Sequence, residues 1–130
     1  MVSGSLILLA LVGVTAGDCD AAARRLREGI RLAREIGDVT PVVWDRAWIV
    51  LASILGKRGS PAVGLRTLGA AERVREEAGA SLVGFTADAH GRAVEQLRVG
   101  VTEEEATRAW EEGRAVGSRD YLEHALSALD

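Results

Sequence analysis

Few side chains in this chain have the chemistry to act as nucleophiles, proton carriers or metal ligands. There are two histidines, His90 and His124, and one cysteine, Cys19. A metal site needs three or four converging ligands, which a helix usually presents at i, i+4 spacing. His90 has Asp88 two residues before it, on a different face, and Glu95 beyond. His124 follows Glu123 without further ligands nearby. Both histidines therefore read as surface or groove residues. Cys19 reads as a small buried residue at a helix start, with modest thiol reactivity as the chemical alternative. The run Glu103-Glu104-Glu105 suits the positive end of a helix better than a catalytic carboxylate pair. No glycine-rich loop is arranged to cradle phosphate. These residues predict no enzyme, no metal and no cofactor.

Two features stand above that background. Trp44 and Trp48 lie one helical turn apart. Tryptophan is enriched at binding hot spots, so the pair suggests an aromatic platform in a groove, with Asp45 and Arg92 as accompanying polar contacts. The competing expectation is that at least one of the two indoles fills space between helices. Glu72 continues the apolar row Leu65, Leu68, Gly69 and should be partly buried. A buried carboxylate must be paired, and Arg66, Arg73, Arg75 and Arg92 are the candidate partners in a structural ion pair.

The elements that must position these residues are helices. Hydrophobic residues make up 48% and charged residues 27%, a globular balance, and aromatics only 4%. Alanine and leucine dominate the apolar share, which favours helix over strand. The length of 130 residues suits one domain, 1–130. A net charge of −3 lacks the electrostatic footprint for nucleic acid. A single cysteine cannot form an intrachain disulfide, and it fits a reducing, cytoplasmic setting.

Residues Leu6 to Val14 form a nearly unbroken apolar run. No Lys or Arg precedes it, it is shorter than the roughly 20 residues a membrane span needs, and Asp18 before Cys19 spoils a lipoprotein site. It reads as a buried helix that needs cover, supplied by the domain itself, by preceding helices of a longer chain, or by a second copy in a homodimer. Next, Ala22, Leu26, Ile30, Ala33 and Ile36 line one face of a helix capped by Asp18 and ended by Gly37. Thr40-Pro41 starts another, with rows Val43, Ala47, Val50, Ile54 and Trp44, Trp48, Leu51, Leu55, ending at Gly56 and Gly59. Ser60-Pro61 repeats the device and that helix stops near Gly79. Gly17 and Gly59 thus occupy equivalent turns about forty residues apart, the spacing of a helical-hairpin repeat. A helix over Phe85 to Val99 follows. Another is capped by Thr102 and stops at Gly113, and a last short one is capped by Ser118. The expected fold is all-α: a tetratricopeptide-like helical-hairpin solenoid of about seven helices, with two hairpins at 5–79 and capping helices at 84–130.

The stretch Leu68-Gly69-Ala70-Ala71-Glu72, followed by Val74-Arg75-Glu76-Glu77-Ala78-Gly79-Ala80, resembles the tetratricopeptide-like C-terminal region of actinobacterial LuxR-type and antibiotic-regulator-type transcriptional regulators. Gly17-Asp18 with Ala21-Ala22, Leu32 to Asp38, and Ala109-Trp110-Glu111-Glu112-Gly113-Arg114 are similar to other segments of that region. The likeness runs from about Leu9 to Leu129. Ala106 departs from it, standing where relatives often place an aromatic. The ATPase loop and the DNA-reading helix-turn-helix of such regulators are not in the sequence. The resemblance implies a part or a free-standing relative of such a regulator, recognising a protein, a peptide or a small-molecule effector. A natural-product binder using the groove and a self-associating module are the alternatives. No direct nucleic-acid or membrane contact is expected.

Overall fold

The structure, a computed structural model, describes residues 2–38, 41–127 and 129. Among them are seven α-helices and no strand: α1 (Val2–Thr15), α2 (Cys19–Glu35), α3 (Pro41–Lys57), α4 (Pro61–Glu77), α5 (Gly84–Val99), α6 (Glu103–Ala115) and α7 (Arg119–Ser127). The expected all-α class and helix number are what the chain adopts.

Local chemistry sets most boundaries. The Asp18 carboxylate accepts the Ala21 N–H and starts α2, and the Ser60 hydroxyl accepts the Val63 N–H ahead of Pro61 in α4. Thr102 and Glu105 form a reciprocal capping box at α6. The cap expected at Thr40 lies outside the described residues. Glycines close the helices where the backbone turns left-handed, as at Gly37 (φ +69°) after α2 and Gly79 (φ +67°) after α4. Two glycines expected to end helices do not. Gly56 lies inside α3 and Gly113 inside α6. At Gly113 the Arg66 backbone comes too close for a side chain, and at Gly56 the end of the Leu97 side chain fills the space one would take.

Helix α3 is the centre of the packing. It is flanked by α1, α2, α4, α5 and α7, and its Ile49, Leu51 and Ile54 are fully buried. The α1–α2 and α3–α4 hairpins lie side by side, with α1 and α2 against α3, then α3 and α4 against α5. The sixth helix departs from that progression. It packs along α4, which it approaches closely at Gly69 and Gly113, rather than closing a hairpin with α5. α4 and α6 are also tied by charge. Glu72 accepts hydrogen bonds from Arg114 Nη1 (2.6 Å) and Trp110 Nε1 (3.3 Å), and Arg114 reaches Glu76 with both terminal nitrogens (2.9 and 2.8 Å). The partner of Glu72 is therefore Arg114, not Arg66, Arg73, Arg75 or Arg92. Those four are near it in sequence or helix order, whereas Arg114 arrives through the α4–α6 packing.

Helix α1 has no polar side. Ile7, Ala10, Leu11 and Val14 face the core, yet Leu8 (36%), Leu9 (49%) and Val12 (55%) stay exposed. No helix among the described residues is long and apolar enough to cross a membrane.

Candidate functional site

The end of α2, the Pro41 start of α3, the C-terminal half of α4 and residues of α7 come together around one concave site. They line a partly open cavity of about 420 Å³, within the roughly 300–1,000 Å³ typical of small-molecule sites. Trp44, Asp45 and Trp48 of α3 line it, with Val74 and Arg75 of α4 and Leu122 of α7.

The two tryptophans play different parts. Trp48 is 4% exposed and stacks on Tyr121 of α7, with ring centroids 5.9 Å apart. Tyr121 is held in turn by its hydroxyl, 3.3 Å from that of Thr67 on α4. Trp48 is thus a packing residue that forms the back of the cavity. Trp44 is half-buried, and its indole N–H donates to the Asp38 carbonyl oxygen at 2.9 Å. That bond holds the ring in place at the cavity wall.

Below Trp44, Asp45 faces Arg75 at 3.9 Å, with side chains only 16% and 11% exposed. This is the outer limit of an ion pair. Burial pushes the Asp45 carboxyl above its usual range, against the pull of Arg75. At the rim, Arg34 at the end of α2 pairs with Glu123 of α7. α7 is additionally anchored by Arg58, which donates from Nη1 to the Leu129 carbonyl oxygen at 3.1 Å. α7 is seated chiefly by burial, since Leu122 and Ala125 belong to the hydrophobic core and Tyr121 and Leu126 pack against it, and the ion pair, the aromatic stack and the hydrogen bonds add to that. Surface ion pairs of this kind contribute on the order of 0–1 kcal/mol.

The structure brings Trp44, Trp48 and Asp45 together, as their spacing on one helix requires. Arg92 is exposed on α5 and does not line the cavity. Arg75, Asp38 and Asp120 do line it, and none was legible as a site residue, since each comes from a different element. His90 lies elsewhere, on α5, edge-on to Trp110 at a centroid distance of 6.3 Å. Its buried Nε2 has no hydrogen-bond partner. Burial and the nearby Arg75 charge hold its pKa below the usual histidine value, with Glu72 opposing. Cys19 is half-buried in the first turn of α2. Among the described residues no three His, Cys, Asp or Glu side chains converge as metal ligands do.

No protein-family model, curated protein or solved structure matches the chain.

Proposed function

We propose that the chain is a non-catalytic, tetratricopeptide-like recognition domain of a regulator-like protein, and that it senses a small-molecule effector in the cavity beneath α7. The observation that carries this reading is the cavity itself. A concave site of small-molecule size has an aromatic wall at Trp44, a largely buried polar pair at Asp45 and Arg75, and a side formed by α7. The side-by-side hairpins support the tetratricopeptide-like arrangement, in which α1, α3 and α5 take the role of the first helices of successive units. α6 is the departure, turned onto α4 to seal that side. A ligand seated under α7 contacts α2, α3, α4 and α7 at once. Binding there ties α7 more firmly to the helices it packs against, and that stabilisation is what a neighbouring domain or partner can read.

The reading separates from its alternatives by a direct comparison. A compound panel followed by thermal shift, run beside a pull-down from lysate, gives small-molecule stabilisation that Trp44→Ala removes. Because Trp44 also packs against the core, circular dichroism and urea unfolding of the variant accompany the comparison, and the loss of stabilisation must appear in a chain that is still folded. Compounds that leave the melting temperature unchanged, together with a protein partner captured equally well by Trp44→Ala, sink the proposal.

A further inference from the structure

The charge of the cavity narrows the class of ligand, an inference that rests on the effector reading above. The described charged side chains lining it are four carboxylates, Asp38, Asp45, Asp120 and Glu123, against two guanidinium groups, Arg34 and Arg75. Both guanidinium groups are engaged by carboxylates of the same set, Arg34 by Glu123 and Arg75 by Asp45. Even with the buried and partnered Asp38 set aside, the described lining carries three carboxylates, Asp45, Asp120 and Glu123, against the two guanidinium groups. Its aromatic wall adds to this. An indole face attracts cations through its quadrupole, more strongly than any other side-chain ring, and Trp44 is oriented by its bond to the Asp38 carbonyl oxygen.

We infer that the cavity takes a small organic cation, a protonated amine or amidine on an aromatic or compact apolar body, with the cationic head between Asp45 and the Trp44 face. The apolar body then rests on Val74, Trp48 and Leu122 beneath α7. The polar pair suits this occupant. At 3.9 Å, Arg75 compensates Asp45 incompletely, and a second donor beside the carboxylate completes it. An anionic ligand has the opposite problem. To reach Arg75 it must displace Asp45 and then sit among the remaining carboxylates. The buried pair also raises the local field, since charges there are screened less than at the surface.

The test uses charge-matched probes on the full chain: a panel of arylalkyl amines and amidines, and the arylalkyl carboxylic acids of the same carbon skeletons. Binding is read by isothermal titration and by the indole N–H signal of Trp44. The amines are expected to bind at least tenfold more tightly than the matching acids, and to weaken as salt rises. Asp45→Asn should lower amine affinity tenfold or more. Because that change leaves Arg75 without its carboxylate and can perturb folding, Asp120→Asn on the exposed rim is the second variant, expected to lower amine affinity severalfold in a fully folded chain. Acids that bind as tightly as amines and move the Trp44 signal overturn the cation inference while leaving the effector site standing. If neither series moves the Trp44 signal, both fail.

Discussion

At the scale of the residue, the informative side chains are those whose surroundings disagree with their chemistry. His90 is one. Its imidazole is half-buried against Trp110 with a buried, unpartnered Nε2, and its neighbours Arg75 and Glu72 pull in opposite directions, with burial the larger effect. The folded chain therefore holds His90 neutral. As pH falls through the ordinary value of 6.5, the unfolded chain takes up that proton first, so stability declines with falling pH from there. The melting temperature is expected to drop between about pH 7 and pH 5, and His90→Gln should flatten that part of the profile. Asp45 has the opposite sign. Its raised value means the folded chain binds the proton more readily, so its contribution falls as pH rises from the ordinary value of 3.8. The Trp44, Asp45, Trp48 cluster was legible in the sequence because one helix sets all three. Which indole packs and which is wall was not, since Tyr121, the residue that covers Trp48, is 73 positions away by numbering.

At the scale of the element, glycine explains both what could be read and what could not. Gly37 and Gly79 mark helix ends, and the sequence shows them as such. Gly69 and Gly113 are instead contact points between α4 and α6, and a spacing pattern along one chain does not separate the two uses. A Cβ at Gly113 would overlap the Arg66 backbone, with Ala70 N 2.9 Å away, so the two helices must move apart. Gly113→Ala is expected to destabilise the chain by about 1–3 kcal/mol in urea unfolding, the usual range for forced overpacking. A neutral result would mean that α6 is not seated along α4. The same pairing hid Arg114 as the partner of Glu72, because it depends on where α6 lies rather than on any periodicity. The capping signals at Asp18, Ser60 and Thr102 survive because they are completed within four residues.

At the scale of the whole molecule, two surfaces remain to be used. One is the exposed apolar side of α1, where Leu8, Leu9 and Val12 form a face that water covers poorly. Were two copies to cover it mutually, light scattering at rising concentration would show a dimer, and Leu9→Glu would return it to monomer. A monomer throughout removes self-association by α1. The other is the cavity under α7, assembled from four helices and the loop after α2. It is the tertiary product of the fold, and its polar complement, Arg75, Asp38 and Asp120, appears only once α4 and α7 are placed. The central claim is that this cavity receives a ligand against Trp44. The chain's three tryptophans give three indole N–H signals in a two-dimensional 15N spectrum, which makes the most direct measurement a titration followed at those signals. Trp44 at the cavity wall should shift progressively and saturably with the bound effector, while Trp110, bonded to Glu72 between α4 and α6, stays in place. A titration that moves Trp110 and leaves Trp44 still would contradict the account.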